Sequence, residues 1–284
     1  MIHLISWNIA VRSKMSQQQI EALMQRTPDI VALQEVSVKA KDDLISGFEQ
    51  MGLIHIEDTV NEGIFHKRLH YNELIASRWP LSKFSKDQRI AVPFPESVLS
   101  ATIDSPFGKI DIHTTHIPPG SSNGWIKIET LEKIYQKLAT TSSKHRILCG
   151  DFNTPQIEKL NGSILTWGQR EKKNGEIGFK KSRGKRWDIG ERNILQGLAQ
   201  FDLKDVFRLM HGYHRQEFSW YTRSKNGSIG RRFDHVFASS SLCPKECCYI
   251  HTWREEKLSD HSAIEAIFDP DIPQKNHERS EPSR

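Results

Sequence analysis

The stretch that decides the fold prediction reads Arg146-Ile147-Leu148-Cys149-Gly150-Asp151-Phe152-Asn153-Thr154-Pro155. Its short apolar run, Ile147 to Cys149, is typical of a buried strand, and the glycine, asparagine and proline that follow are typical of a strand end. Asp151 and Asn153 therefore both lie at the end of this strand. A carboxylate two residues before an amide can hold a water between a proton acceptor and an orienting group, which hydrolysis requires. An Asx-turn that merely ends the strand is the alternative.

Polar side chains also mark the ends of the other predicted strands. A strand from Ile110 alternates with period two and ends at His116, before Pro118 and Pro119 break it. Each polar residue at such a place is commonly just a turn or cap residue. Eight of them together predict an active site. They are Asn8, Glu35, His116, Asp151, Asn153, Asp234, Asp260 and His261.

Helical patterns separate several of these strands. Ser16-x-x-Gln19 has the pattern of a capping box, and Thr27-Pro28 closes the helix that follows it. Apolar residues at helical spacing between Trp125 and Ala139 predict another helix, directly before the strand into Asp151. Alternating strands and helices predict an α/β protein.

The 284-residue chain contains no interior linker, internal repeat or apolar run of transmembrane length. Its first residues lack the basic start and apolar core of a signal peptide, so we expect a cytoplasmic protein without membrane association. From Asp269 the sequence becomes charged and rich in proline. The sequence therefore predicts one domain, residues 1–268, and a disordered C-terminal tail, residues 269–284.

Positive charge concentrates between Arg170 and Arg192. This basic segment has nine Lys or Arg against four acids, an excess of five that equals the net charge of the whole chain. Its glycines and lack of periodicity predict a long surface loop, with a helix beginning at Glu191. Lys and Arg contact phosphates without reading base sequence, so the loop is expected to bind nucleic acid. A loop whose charges only keep it solvated is the alternative. The predicted contacts are Lys180, Lys181, Arg183, Lys185 and Arg186.

The residues at the strand ends suit a divalent metal and a phosphate. Oxygen ligands favour Mg²⁺ or Mn²⁺ over zinc, and Glu35 is the first predicted ligand. A protonated His261, oriented by a buried Asp234, can stabilise negative charge that develops on a phosphate. Together these residues predict metal-assisted attack of water on a phosphoester.

Five separated motifs resemble those of the endonuclease/exonuclease/phosphatase superfamily, which has the DNase I-like fold. In chain order they are Trp7-Asn8, Leu33-Gln34-Glu35, Gly150-Asp151-Phe152-Asn153, Arg232-Phe233-Asp234 and Ser259-Asp260-His261. The resemblance implies a four-layer αββα sandwich, in which two packed mixed β-sheets are flanked by helices. Residues 191–221 are similar to the exonuclease III and abasic-endonuclease branch of the superfamily.

The resemblance also implies a role for each motif residue. Asp151 is expected to position and deprotonate the water, with Asn153 orienting that water or a phosphate oxygen. His261, oriented by Asp234, is expected to bind the scissile phosphate, and His116 to stabilise charge or protonate the leaving oxygen. The residues expected to hold Mg²⁺ or Mn²⁺ are Asn8, Glu35 and Asp260.

Two departures from the exonuclease III branch leave abasic-site specificity open. Trp220 and Phe233 stand where that branch lines its pocket for an abasic sugar, but Arg231 stands where abasic endonucleases have tryptophan. His116 stands where the branch usually has tyrosine, and a histidine there is similar to DNase I and several phosphatase branches. Trp220, Arg231 and Phe233 are therefore predicted to contact substrate of undetermined kind.

The sequence thus predicts a divalent-metal-dependent phosphodiesterase that hydrolyses nucleic acid, with DNA as the expected partner. Whether cleavage is endonucleolytic or exonucleolytic stays open. One alternative in the same fold is a phosphatase or phosphodiesterase for a small-molecule or lipid phosphoester. A catalytically inactive binding module is the other alternative, and hydrolysis of any phosphoester by the purified protein would exclude it.

Overall fold

The structure is a computed structural model, and it describes residues 1–60, 62, 72–224 and 227–270. Its strands are β1 (Ile2–Asn8), β2 (Ile30–Gln34), β3 (His55–Asp58), β4 (Leu74–Ser77), β5 (Leu81–Lys83), β6 (Val98–Ser105), β7 (Gly108–His116), β8 (His145–Asp151), β9 (Ile157–Glu158), β10 (Ile164–Leu165), β11 (Gln169–Glu171), β12 (Ile177–Phe179), β13 (Lys204–Asp205), β14 (Trp220–Ser224), β15 (Gly227–Arg231), β16 (Asp234–Ala238), β17 (Pro244–Ile250) and β18 (Ala263–Phe268). Its helices are α1 (Ser16–Arg26), α2 (Lys41–Gln50), α3 (Gly120–Asn123), α4 (Ile126–Leu138), α5 (Gly184–Leu195), α6 (Val206–His211) and α7 (His251–Glu255).

The longer strands form two mixed sheets. The first has the order β17-β18-β1-β2-β4-β3, and the second has the order β13-β16-β8-β7-β6-β5. In each sheet one central pair is parallel, β1 with β2 and β7 with β8, while the other pairs are antiparallel. Within each parallel pair, the carboxyl ends of the two strands therefore lie at the same edge of their sheet.

Buried apolar side chains form three layers, one between the two sheets and one between each sheet and its helices. Between the sheets, residues such as Leu4 and Ile30 pack with Ile112 and Ile147 of the opposite sheet. Outside the first sheet, the other face of its strands packs against α1 and α2. Outside the second sheet, Leu148 packs with apolar residues of α4 and α5. The predicted four-layer αββα sandwich is confirmed.

In β7 and β8, the row of side chains that faces the opposite sheet ends at a polar residue of the candidate site. Successive side chains of a strand point to opposite faces, so every second residue shares one face. Ile147 and Cys149 of β8 belong to the inter-sheet core, and Asp151 is the next residue of that row. The same period leads from Ile112 to His116 in β7. Polar residues that end these rows therefore converge at one edge of the sandwich.

The predicted capping box before α1 is wrong. Ser16 is the first residue of the helix and not the residue before it, and no side-chain cap forms. Its hydroxyl oxygen lies 2.8 Å from Asp43 Oδ2 and 3.1 Å from the carbonyl oxygen of Ser13, so its single proton serves these two acceptors. Gln19 reaches out of the helix, and its amide donates to the carbonyl oxygens of Ile9 and Leu258. Both side chains find tertiary partners, which replaces the local pattern expected from sequence.

The basic segment, residues 170–192, is not the predicted loop. It contains the hairpin β11–β12 and most of α5, which begins at Gly184 and not at Glu191. The buried face of α5 includes Trp187, Asp188 and Glu191. Charged residues at buried positions hide the apolar stripe by which a helix is usually recognised in sequence.

Residues 271–284 of the predicted tail lie outside the described residues, so the tail stays a prediction. Among the residues that the structure describes, each helix is too short or too polar to cross a membrane.

Candidate active site

Gly150 lets the strand that carries Asp151 lie close to its neighbour. Its φ of +129° lies in the region that favours glycine. A Cβ at this position would overlap the carbonyl oxygen of Thr115 in β7. The close approach keeps the two strands in parallel register, with His116 opposite Asp151. The glycine of the motif thus brings a histidine beside a carboxylate.

Asp151 is a buried carboxylate with defined hydrogen-bond partners. Oδ1 accepts from the main-chain N–H of Asn153 at 2.8 Å, so the Asx-turn does form, and Oδ2 accepts from the Asn8 amide at 3.0 Å. Burial raises the pKa of Asp151 to about 6, although the charge of His261 opposes this shift. A carboxyl group with this pKa can accept a proton from water near neutral pH.

His261 and Asp234 form the expected pair. His261 Nδ1 lies 2.8 Å from Asp234 Oδ2, and β16 places Asp234 opposite Asp151. Burial acts to lower the pKa of His261, but the charges of Asp234 and Asp151 outweigh it and raise the pKa to about 10. His261 is therefore positively charged at neutral pH. Its Nε2 lies 3.7 Å from Asp151 Oδ2, which places a cation and the proposed base around one small space.

The loop that carries His261 is attached to the end of β1. Trp7 Nε1 donates to the carbonyl oxygen of His261 at 3.1 Å. Ser259 Oγ donates to the carbonyl oxygen of Asn8 at 2.6 Å and accepts from the His261 N–H at 3.1 Å. Two motifs from opposite ends of the chain thus form one structural unit.

Glu35 follows the end of β2 with a left-handed φ of 57°. Non-glycine residues are uncommon in this region and cluster at functional sites. The conformation places Glu35 Oε1 3.1 Å from the Asn8 amide nitrogen, which also contacts Asp151. The Asn8 oxygen accepts from the Ala10 N–H at 2.9 Å. In this rotamer the Asn8 amide nitrogen lies between the carboxylates of Glu35 and Asp151. The predicted metal ligation by the Asn8 oxygen would require the amide to rotate.

The residues present fit a divalent cation. Oxygen or nitrogen atoms of Glu35, His116 and Asp151 all lie within 4.8 Å of one another. Burial is the main cause that raises the pKa of Glu35, and the charge of Asp260 adds to it. A cation would offset the cost of these crowded carboxylates. Asp260 is exposed and belongs to neither of the two clusters found among the described residues. Its Oδ2 accepts from Trp220 Nε1 at 3.2 Å.

His116 lies at the centre of these groups. Its Nε2 is 3.6 Å from Glu35 Oε1, 3.5 Å from Asp151 Oδ2 and 3.2 Å from the Asn153 amide nitrogen. Burial lowers the pKa of His116, although the charge of Asp151 opposes the shift. The lowered pKa favours the neutral ring. A neutral ring is suited to hydrogen bonding, which favours charge stabilisation over proton donation among its two predicted roles.

Sequence reasoning missed Glu73, directly before β4. Its carboxyl group is fully buried and accepts from Thr114 Oγ1 at 2.8 Å and from the main chain of His116. Burial raises its pKa well above the usual range, with the charges of Asp151 and Glu35 adding to the effect. The residue follows a segment without a recognisable pattern, so the sequence offered no signal for it.

Sequence reasoning also missed the residues that hold Asn153. The main-chain oxygen of Asn153 accepts from Lys127 Nζ at 2.9 Å and from Trp167 Nε1 at 3.1 Å. Glu191 of α5 binds Lys127 Nζ at 2.6 Å and accepts from Trp187 Nε1 at 2.8 Å. Lys127 of α4 and Glu191 of α5 therefore connect the helical layer to Asn153, the predicted water-orienting residue. Asn153 itself has a left-handed φ of 51°.

Trp220, Arg231 and Phe233 lie together beside the site. The Trp220 and Phe233 rings stack with centroids 5.5 Å apart, and all three residues line a cavity of about 440 Å³. Asn153 lines the same cavity. The structure thus brings the predicted substrate-contacting aromatic residues to the predicted water-handling residue.

The five predicted phosphate-contacting residues are placed less uniformly. Arg183 lines the cavity, and Lys180 lies over the Trp167 ring at its edge. Lys181 and Lys185 are exposed. Arg186 forms a bidentate ion pair with Glu132 at 2.7 and 2.8 Å, so its charge is already offset. The basic segment therefore faces the site only in part.

Comparisons with known proteins agree with this arrangement. The sequence model of the Endonuclease/Exonuclease/phosphatase family matches residues 5–261. Exodeoxyribonuclease III of Haemophilus influenzae is 24% identical over 266 residues, covering 88% of this chain and 94% of the relative. An AP endonuclease from Archaeoglobus fulgidus superposes with a TM-score of 0.66 at 20% identity, over 95% of this chain and 100% of the other. D. rerio TDP2, humanized by 14 mutations, gives a TM-score of 0.62 at 18% identity, over 94% and 98%.

Proposed function

Because the chain belongs to the endonuclease/exonuclease/phosphatase family, we propose that it is a divalent-metal-dependent phosphodiesterase that hydrolyses DNA. One observation carries the proposal: a buried carboxylate with a pKa near 6, Asp151, lies between a neutral histidine and a positively charged one. This arrangement supplies a proton acceptor for water and a cation for phosphate in the same space.

The chain's own residues divide the work of hydrolysis. Asp151 accepts the proton of the attacking water, and the Asn153 amide orients that water. His261, kept charged by Asp234, donates a hydrogen bond to a non-bridging phosphate oxygen as negative charge develops. His116, as a neutral ring, stabilises charge by hydrogen bonding. Attack on the phosphorus breaks its bond to the leaving oxygen, which takes up a proton from solvent and departs as an alcohol, and a phosphate monoester remains.

The proposed cofactor is Mg²⁺ or Mn²⁺. Glu35 would hold it, and Asp260, whose charge acts on Glu35, is the second carboxylate proposed as a ligand. When bound, such an ion neutralises phosphate charge and acts as a Lewis acid. The choice of a hard cation rests on the carboxylate ligands, since cysteine does not belong to the clusters formed by the described residues.

Two observations support DNA as the substrate. The relative from Haemophilus influenzae is named as an exodeoxyribonuclease and aligns over most of both chains. The site also adjoins a cavity walled by Trp220 and Phe233 and lined by Arg183. Aromatic faces and unpaired guanidinium groups are suited to bases and phosphates.

The experiment is a substrate panel assayed with Mg²⁺, with Mn²⁺ and with chelator. It includes duplex, single-stranded and abasic DNA, RNA, a mononucleotide and a phosphoinositide. We expect DNA hydrolysis that the chelator abolishes. Hydrolysis of the phosphoinositide or mononucleotide alone would replace DNA with a small phosphoester, and no hydrolysis of any substrate with either ion would overturn the proposal.

A further inference from the structure

The cavity beside the catalytic centre contains two guanidinium groups without an acidic partner. Among the described residues, neither Arg183 nor Arg231 forms an ion pair with a carboxylate. Arg183 donates to the Trp167 carbonyl oxygen at 3.2 Å, and Arg231 donates to that of Gln156. Both arginines line the cavity.

Arg231 is the more telling of the two. It is only 8% exposed, and its Nε has no hydrogen-bond partner among the described residues. Burial lowers its pKa. A buried charged donor left unsatisfied is costly, so such a group in a cavity indicates a ligand that supplies the missing acceptor.

Aromatic rings supply the rest of the wall. Trp167 and Trp220 both line the cavity, and Phe233 stacks against Trp220. The Lys180 and Arg231 cations lie over the Trp167 ring. The volume, about 440 Å³, falls within the range of cavities that hold ligands of drug size. A bare sugar offers such rings no flat partner, whereas a base offers a π-face together with hydrogen-bond acceptors.

Resting on the proposed phosphodiesterase function, we propose that this cavity binds a nucleotide that keeps its base. The base stacks on Trp220, and Arg231 donates to its acceptor edge, while Arg183 lies close to an adjacent phosphate. Asn153 lines the same cavity, so the phosphoester next to the bound nucleotide is the one presented to Asp151. The enzyme therefore acts beside intact nucleotides in preference to abasic sites.

A binding experiment on the unmodified protein tests this without turnover. Calorimetric titration compares a deoxynucleoside 5′-monophosphate with deoxyribose 5-phosphate, which lacks the base. We expect the nucleotide to bind roughly ten-fold tighter or more, because stacking and Arg231 act only on the base. Equal affinities for the two compounds would overturn the proposal.

A substrate experiment separates this proposal from the proposed function. Two oligonucleotides differ at one position, which carries either a normal nucleotide or a tetrahydrofuran abasic analogue. We expect kcat/KM for the first to exceed that for the second by roughly ten-fold. Cleavage of both at equal rates, or preference for the analogue, overturns the nucleotide cavity and leaves the phosphodiesterase intact. Cleavage of neither overturns the proposed function itself, and the calorimetric result then still decides the cavity.

Variants identify the residues responsible. Arg231→Gln is expected to remove most of the difference between the two oligonucleotides by raising KM for the normal one. The matched control is Arg78→Gln, an arginine paired with Asp29 at the opposite end of β2 and β4. A circular dichroism spectrum shows whether Arg231→Gln folds. Should it not fold, Arg183→Gln tests the second guanidinium, and an unchanged preference in a folded variant of either arginine contradicts the assignment of that residue.

Discussion

The catalytic centre and the basic segment, residues 170–192, are both rich in charge, but the fold treats them differently. In the catalytic centre the charged groups are buried and contact one another, as Asp151 does with His261 and His116. In the basic segment most charges are exposed, and several are paired with nearby acids. Those pairs are Lys172–Glu176, Arg186–Glu132 and Arg192–Asp188.

The difference shows which features of a sequence predict contacts in the folded protein. Motif spacing at strand ends predicts which side chains meet, because strand register is fixed by a buried core. A count of charges predicts nothing about which charges are already paired. The excess of five subtracts the two acids that pair within the basic segment, Glu176 and Asp188, but not Glu132, which lies outside the segment and already offsets Arg186.

The sharpest test of the catalytic centre is Asp151→Asn. Removing the proton acceptor is expected to lower kcat for DNA hydrolysis by roughly 10²- to 10⁴-fold. The matched control is Asp111→Asn, an aspartate of the adjacent strand β7 that pairs with Lys144. An Asp151→Asn protein that folds and keeps kcat within a few-fold of wild type would remove Asp151 from the mechanism.

A second test compares a buried ion pair with an exposed one. Glu158 binds Arg232, directly before Phe233 and Asp234, and also Arg208, and all three side chains are buried. Glu158→Gln removes the carboxylate that Arg208 pairs with among the described residues, while Arg232 keeps Asp205. The free energy of unfolding is therefore expected to fall by about 3 kcal/mol. Glu132→Gln, which frees Arg186 in the basic segment, is expected to cost less than about 1 kcal/mol. Denaturant titration measures both, and equal losses would show that burial does not distinguish the two regions.

The same buried network predicts how stability depends on pH. Burial acts to raise the pKa of Glu158, but the charges and hydrogen bonds of Arg232 and Arg208 outweigh it and lower the pKa to about 2. This stabilisation is complete above the pKa of the unfolded chain, about 4.5, and is lost as the pH falls toward 2. Unfolding free energies measured across that window should fall more steeply for wild type than for Glu158→Gln. Parallel curves would contradict the assignment.

The smallest expected effect concerns the exposed lysines of the basic segment. Lys181→Gln with Lys185→Gln should weaken DNA binding and reduce the slope of log affinity against log salt by up to about 2, one for each lost phosphate contact. Arg186→Gln should change the slope less, because Glu132 already offsets that charge. Binding titrations at several salt concentrations measure these slopes. An unchanged slope in the double variant would show that these lysines do not contact phosphates and only keep the segment solvated.

The resemblance of the five motifs predicted the sandwich, and residues at strand ends predicted which side chains meet at one edge of it. Asp151, Asp234 and His116 continue alternating rows of core residues, and that period can be read without a structure. Lys127, Glu191 and Glu73 could not be found in this way, because each is a charged residue buried through contacts made far along the chain. The start of α5 was misplaced for the same reason, since Glu191 and Asp188 occupy its inner face.

Gly150 has a consequence for substitutions in this chain. A side chain larger than hydrogen would collide with the backbone of β7, and the collision would displace His116 and Asp151 together. The φ of Gly150 adds a second penalty for any other residue. A single substitution at position 150 is therefore expected to disturb two residues of the candidate site at once, although the position itself contributes no side chain to that site.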